Sequence, residues 1–380
     1  MRVLQVYSGN LYGGVETLLV RLARYRDLCP TMEPHYALCF QGRLSEELVA
    51  ADAPVYQLGS VRVSRPVLLW RSRRLLGDLL RQKRFDVVVC HSAWSQAIFG
   101  PVVRSVGLPL VFWLHGTTDG RHWLERWARR TPPDLALCNS RFTAGTLPNM
   151  YPRVRTEPVY CPVGSPESRY SKVDRALVRA ELKTSAEATV IIQVSRMEAW
   201  KGHALHLEAL GMLRDLPEWV CWQVGGAQRP HESRYLEELK NSASQLGIAE
   251  RVRFLGQRSD VSRLLAAADI YCQPNTGPEP FGIALVEALY AGLPVVTTPL
   301  GAAMEILEPS CGIRVPVEAE ALSQALERLI FDPAERARLG AKGPIRATAL
   351  CDPAKQMRRI EELLGSVIGC TVAEMTSMQG

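Results

Sequence analysis

An acid between two prolines is an unusual place to put a carboxylate, and Glu279 occupies one, in Pro274-Asn-Thr-Gly-Pro-Glu-Pro-Phe-Gly282. Eight residues on, Glu287 lies within the helix-like run Gly282 to Ala291. The first carboxylate belongs to a loop and is free to face a ligand. The second, held on a helix, can accept from hydroxyls beside the first turns. Arg196 and Lys201 follow another apolar run, and two cations on one loop suit a diphosphate, Arg by a planar fork and Lys by a point charge. His91 and His115 each end an apolar run. Taken bare, each pair has a plain alternative: two Glu eight apart fit a solvated helix face, Arg-x4-Lys a solvated pair, and a His at a strand end a structural role.

The elements needed to position these groups are legible around them. Asp269 to Gln273 reads as a short buried strand, which the Pro/Gly cluster after it must stop because Pro lacks the ladder donor. Gly292 and Pro294 end the following helix and lead into the apolar run Leu293 to Val296. The start of such a helix, around Phe281 to Ala284, presents N–H groups that favour an anion, so Gly282 and Ile283 are candidates for holding a phosphate.

Thr189 to Ser195 is a buried strand that opens into Arg196-Met-Glu-Ala-Trp-Lys201-Gly202. Residues 2 to 8 form a first strand, then Ser8-Gly-Asn-Leu-Tyr-Gly-Gly14 turns into a helix with Val15, Leu18, Leu19 and Leu22 on one side. That glycine turn is not GxGxxG, and His35 to Phe40, the next strand, lacks the terminal acid that would bind a ribose in a dinucleotide fold. A nicotinamide cofactor is disfavoured. Asp86 to His91 and Pro109 to His115 are two further buried strands. Parallel strands would bring their terminal histidines to the rim where open α/β sheets bind ligands.

Bulk properties set the frame. At 380 residues the chain exceeds the usual single domain. Ten cysteines occur with no CxxC pair and no metal-like Cys/His spacing, as expected of reduced, buried thiols in a cytoplasmic protein. No metal site and no cofactor are expected. No apolar stretch is long enough to span a bilayer, and residue 1 leads directly into a strand without a signal-peptide pattern.

The basic excess lies before residue 164, while the later residues carry a slight acidic excess. Much of it sits in residues 61 to 84, where Arg62, Arg65, Arg71, Arg73, Arg74, Arg81, Lys83 and Arg84 face a single acid, Asp78, around Val67-Leu-Leu-Trp70. Such a helix can lie on the inner face of an anionic membrane or receive an acidic acceptor, or it can simply be a solvated helix packed on a sheet. The stacked-aromatic signals of nucleic-acid binders are missing.

Three stretches resemble family 4 retaining glycosyltransferases: Glu279-x7-Glu287 with Pro-Phe-Gly and Ala-x-Gly-x-Pro-Val-Val, Ser195-Arg-x4-Lys-Gly202, and Gly13-Gly14-x-Glu16. The resemblance covers essentially the whole chain. It implies the GT-B architecture, two facing doubly wound, Rossmann-like α/β domains with an active site in the cleft. The acceptor-binding domain would be residues 1–164, with a C-terminal helix over 354–368 returning to it. The donor-binding domain would be 165–353, and 369–380 a loose tail, with the linker from Pro162 to about Lys172.

The implied reaction moves a hexosyl group from a nucleotide diphosphate sugar, UDP-sugar first and GDP-sugar next, to a hydroxyl of a saccharide, lipid or small natural product. It proceeds with retention and without a metal ion. Within that resemblance Glu279 and Phe281 meet the donor sugar, Glu287 the ribose, and Gly256 and Arg258 the nucleobase. Arg196, Lys201, Gly13, Gly14, Gly282 and Ile283 hold the diphosphate, and His115 takes a catalytic place although Gly116 stands where the family commonly has Asp. Gly301 and Glu305 either close the donor pocket or serve helix entry, and His91 is given no defined role. A nucleotide-sugar epimerase, a sugar phosphorylase and a non-catalytic sugar-nucleotide binder stay as alternatives. The donor sugar and the acceptor are not encoded legibly.

Overall fold

Strands that are apolar along their whole length need cover on both faces, and the chain supplies it by alternating strand with helix. In this computed structural model, which describes residues 1–9, 11–165 and 172–377, the chain divides into two compact units. One comprises residues 1–162 together with 352–380, the other residues 163–351. Most of the segment read as a linker, residues 166–171, lies outside the described residues.

The first unit holds seven parallel strands: β1 (Arg2–Tyr7), β2 (Glu33–Leu38), β3 (Val55–Gln57), β4 (Val87–His91), β5 (Leu110–Leu114), β6 (Leu135–Cys138) and β7 (Thr156–Pro158). Their spatial order is β3-β2-β1-β4-β5-β6-β7. Strand order therefore reverses between β1 and β4, the topological switch point beside which open α/β sheets bind ligands. The turn carrying Gly13 and Gly14 follows β1, and His91 closes β4. Register places Gln5 opposite Val89 and His91 opposite Trp113. Val3, Leu4, Val6, Val87 to Cys90 and Leu110 to Trp113 are almost wholly buried, so this sheet is core on both faces.

The second unit repeats the scheme with six strands: β8 (Thr189–Val194), β9 (Trp219–Val224), β10 (Val252–Gly256), β11 (Ile270–Gln273), β12 (Val295–Thr297) and β13 (Gly312–Arg314). Their order is β10-β9-β8-β11-β12-β13. Here the switch point falls between β8 and β11, where Ile191 pairs with Ile270 and Ile192 with Tyr271. A buried ion pair anchors the start of this sheet. Arg179, 3% exposed, and Arg175 each reach Asp269 at 2.6 Å, and Asp269 also accepts from the Val190 N–H at 2.7 Å.

The last helix departs from its sequence reading. Instead of ending near residue 368 with a loose tail, it runs Pro353–Ser377, leaving only 378–380 outside the described residues. Residues 370–377 contain no Pro or Gly to stop a helix already under way. Within its own unit this helix is held by Glu361, which accepts from Thr31 and Cys29, and by Arg359, whose guanidinium donates to Glu157 at 2.8 Å. Nine cysteines, all but Cys370, have described side chains, and these are free and buried.

Candidate active site

The switch point of the second unit brings together loops that are 78 residues apart. Lys201 leaves the turn after β8, Glu279 leaves the loop after β11, and Lys201 Nζ donates to Glu279 Oε2 at 2.5 Å with both side chains largely buried. Backbone bonds clip the two loops to each other: the N–H groups of Thr276 and Gly277 donate to the Trp200 carbonyl at 2.9 and 3.3 Å. Gly202 permits this approach. It sits at φ 75°, and a Cβ there would lie 1.7 Å from the Pro274 carbonyl oxygen.

Glu279 is only 4% exposed. A carboxylate so removed from water needs donors, and three converge on one of its oxygens. Besides Lys201, Gln273 Nε2 and Asn275 Nδ2 each donate to Oε2 at 3.1 Å. Those amides are fixed in turn, since Tyr271 donates to Gln273 Oε1 at 2.6 Å and Gln273 Nε2 also reaches Asn275 Oδ1 at 3.0 Å. Burial, then the Glu279 charge, pushes the Tyr271 phenol well above its ordinary range, so it remains a donor. No protein donor meets Glu279 Oε1 among the described residues.

The backbone of Glu279 is set by Gly301. Residues 279 and 301 bridge in parallel, the Ala302 N–H donates to the Glu279 carbonyl at 2.8 Å, and Gly301 lies at φ 67°. Any Cβ at 301 would come within 2.3 Å of that carbonyl oxygen. Gly301 thus positions the acid, and Glu305 follows it in the short helix Ala303–Ile306.

Gly282, at φ 92°, caps the helix Ile283–Tyr290. The first-turn N–H groups of Ile283 and Ala284 have no carbonyl one turn earlier to bond, which leaves a local positive end beside Glu279. Phe281, in the loop just before this helix, is buried, and Glu287 on the helix is half-buried. Arg196 lies 2.9 Å from Glu198, and the Lys201 ammonium also rests 4.0 Å from the centre of the Trp200 ring. Behind this loop Gln193 Nε2 donates to the Lys201 carbonyl at 2.9 Å, and Ser195 Oγ meets His203 Nε2 at 3.0 Å. Burial, then the Lys201 charge, lowers His203 to a pKa of about 4, so it is neutral at pH 7. Gly256, at φ 65°, ends β10, while the Arg258 guanidinium grips Asp260 at 2.8 Å twice and Glu181 at 3.1 Å. Those bonds commit the Arg258 side chain to Asp260 and Glu181.

In the first unit the β1 turn is held by Glu16, which accepts from the Tyr7 hydroxyl at 2.5 Å and the Gly13 N–H at 2.8 Å. Ser8 ties the same turn to Ser95, with both the Ser8 N–H and hydroxyl near its Oγ. At the neighbouring strand ends His91 Nδ1 lies 2.9 Å from His115 Nε2. The two histidines at the rim therefore form one pair. Burial lowers His115 to a pKa of about 3.

The sequence reading missed Gln273, Asn275, Trp200 and Gly202. A signal was present for two of them. Gln273 and Asn275 are amides at alternate positions at the end of an otherwise apolar strand, where burial obliges them to bond something.

Two parallel-sheet units, each with a switch-point site, define the architecture shared by nucleotide-sugar enzymes of the GT-B fold. The Anabaena protein HepE, solved in complex with UDP and glucose, superimposes with a TM-score of 0.83 and 26% identity over 96% of this chain and all of that one. Residues 12–164 match the family described as Glycosyltransferase Family 4, and residues 174–346 the one described as Glycosyl transferases group 1. A GDP-mannose-dependent phosphatidylinositol monomannoside mannosyltransferase of Corynebacterium glutamicum is 25% identical over 354 residues, 87% of this chain and 88% of its own length. The lipopolysaccharide core glycosyltransferase LpsE of Rhizobium meliloti is 31% identical over 170 residues, which span 44% of this chain and about half, 47%, of that relative. The chain belongs to the family 4 glycosyltransferases of GT-B fold.

Proposed function

We propose that the protein transfers a hexosyl group from a nucleotide diphosphate sugar to an acceptor hydroxyl with retention of anomeric configuration and without a metal ion. The observation that carries this reading is the asymmetry of Glu279: Oε2 is held by Lys201, Gln273 and Asn275, while Oε1 takes no protein donor among the described residues. With Oε2 held in this way, Oε1 suits a donor-sugar hydroxyl, with the diphosphate on the N–H groups of Gly282 and Ile283 at the neighbouring helix N-terminus. Phe281 packs on the sugar, Glu287 accepts from the ribose, and the backbone at Gly256 and Arg258 meets the base. Gly13 and Gly14 add N–H groups to the diphosphate, and His115 meets a sugar hydroxyl.

Retention then proceeds by attack on the face the leaving group departs from. The bond from the anomeric carbon to the phosphate oxygen breaks, the acceptor oxygen bonds to that carbon, and its proton passes to the departing phosphate. Arg196, Lys201 and the helix terminus oppose the charge that develops there, the task a divalent cation performs in other transferases. The HepE complexes with UDP and with UDP-glucose favour a uridine donor, and the GDP-mannose-dependent relative supports guanosine as the second choice. Acceptors are saccharides, lipids or small natural products.

The helix Pro66–Gln82 adds support for a lipid setting. Val67, Trp70 and Leu75 are exposed on its outer side among Arg71, Arg74 and Arg81. Trp and aliphatic groups with arginines around them suit the surface of an anionic bilayer. No described helix is long and apolar enough to cross a membrane. Free thiols at the nine cysteines with described side chains support a cytoplasmic setting, at the inner membrane face.

The test is nucleotide release and product formation from UDP-glucose and GDP-mannose across an acceptor panel, with excess chelator and with anomeric analysis by NMR. Glu279→Ala and Lys201→Ala each lower turnover by about two to three orders of magnitude while circular dichroism stays native. Near-normal turnover in either variant removes the assignment, an inverted product removes same-face attack, and chelator-sensitive turnover removes metal independence. Flotation with phosphatidylglycerol vesicles tests the membrane contact, and a Trp70→Ala variant that floats like the wild type refutes it.

A further inference from the structure

His91 is fully buried, lies edge to edge with the nearly parallel His115 ring, and is bonded at both ring nitrogens. Its Nε2 lies 2.7 Å from Gln5 Oε1 and its Nδ1 lies 2.9 Å from His115 Nε2. An amide oxygen has lone pairs only, so the proton of this contact belongs to His91 Nε2. A neutral imidazole carries one N–H, so Nδ1 of His91 is then a lone pair. His115 must fill that lone pair from its own Nε2–H, which leaves His115 Nδ1 without a proton. Burial keeps the rings neutral: His91 falls well below the ordinary histidine range, with the His115 charge adding to the effect, and His115 falls to about 3. His115 is half-buried at the end of β5, and its Nδ1 bonds no protein group among the described residues.

We propose that Gln5 and His91 are positioning residues that lock His115 in its Nε2–H tautomer, so that the Nδ1 lone pair is presented as an acceptor to a substrate sugar hydroxyl. The inference rests on the reading of His115 as a substrate contact and extends it by fixing the direction of that hydrogen bond. The relay starts mid-strand in β1 and crosses to the ends of β4 and β5. It uses the switch point to carry the proton assignment of a buried amide out to the rim. Tautomer control by the group bonded to the far ring nitrogen is the general way histidines are oriented for chemistry.

Long-range proton–nitrogen NMR of the full chain labelled with 15N-histidine reads the tautomer directly, with His115 assigned by loss of its signals in His115→Gln. In the wild type, His115 Nδ1 gives a pyridine-type and Nε2 a pyrrole-type resonance. A pyrrole-type Nδ1 overturns the proposal without reference to any variant. Gln5→Glu, which keeps the acceptor oxygen, preserves the pattern. Gln5→Met, nearly the same size but with no acceptor, gives averaged tautomers at His115 and lowers UDP-glucose turnover by about tenfold, the order expected for loss of one neutral hydrogen bond's orientation. If turnover falls in Gln5→Met while the His115 pattern is unchanged, Gln5 is merely structural and the relay is refuted. Absence of UDP-glucose turnover in the wild type counts against the transferase reading and leaves the NMR result standing by itself.

Discussion

Removing the Lys201 charge should unmask how much of the donor-site geometry depends on one buried ion pair. The Nζ to Oε2 separation is 2.5 Å and the side chains are 13% and 6% exposed. At an intermediate dielectric near 20, two unit charges so placed attract by about 7 kcal/mol before desolvation. Most of that is offset by taking both ions out of water, so the pair adds little net stability. Breaking it from one side is another matter, because Glu279 loses its counter-charge and retains only Gln273 and Asn275 as donors. Lys201→Met should therefore cost about 3–5 kcal/mol.

Glu279→Gln should cost less, about 1–3 kcal/mol, since the ammonium keeps the Trp200 ring and the amide side chains bond an amide readily. In the double variant no buried charge is left unmatched, and the coupling energy should reach about 2 kcal/mol or more. Urea unfolding gives the global figures. Hydrogen exchange in peptides covering 189–205 and 270–290 locates the loss, and both loops should lose protection together because the Trp200 carbonyl joins them to Thr276 and Gly277. If each single variant costs under about 1 kcal/mol and the two add, the pair is solvated and Glu279 does not depend on a buried partner charge.

Gly301→Ala should lower kcat at least about tenfold without touching a ligand: Ala at φ 67° is strained, and its methyl would meet the Glu279 carbonyl at 2.3 Å, so the carboxylate must move. Steady-state kinetics beside a thermal melt separates this from simple unfolding. Arg179→Met should destabilise residues 163–351 by about 3–5 kcal/mol, because Asp269 and the carbonyls of Ala186 and Ala188 lose their buried donor; a urea midpoint close to wild type would refute it. The pH dependence has a definite sign. His203 and His206 have folded-state pKa values of about 4 and about 3, below the ordinary 6.5, so the unfolded chain binds their protons first. Stability should be full above about pH 6.5 and fall toward pH 4, by up to about 1.4 kcal/mol per pH unit for each histidine. Urea midpoints at pH 7, 6 and 5 should show a shallower slope in His203→Gln.

The sequence alone settled whatever local chemistry could settle. Apolar runs punctuated by Gly and Pro determined the strand-helix alternation, since a segment buried on both faces must be continuously apolar and a strand cannot run through Pro278 and Pro280. Spacing and residue type singled out Glu279, Arg196 and Lys201 as groups at strand ends. Two decisions belonged to the tertiary structure. Strand order put β8 beside β11, and only that adjacency brings Lys201 against Glu279 across 78 residues.

Burial then chose partners that no local pattern names. Gln273 and Asn275 turn inward because a carboxylate 4% exposed must be given donors, and Gln5 meets His91 because their strands are neighbours. The end of the last helix, read as a tail beyond residue 368, continues to Ser377 through residues 370–377, which contain no Pro or Gly, and that is a local signal and not a tertiary one. Pairing across a sheet and the demand of a buried polar group for a partner are properties of the assembled fold, and a linear pattern shows only which residues are available to meet them.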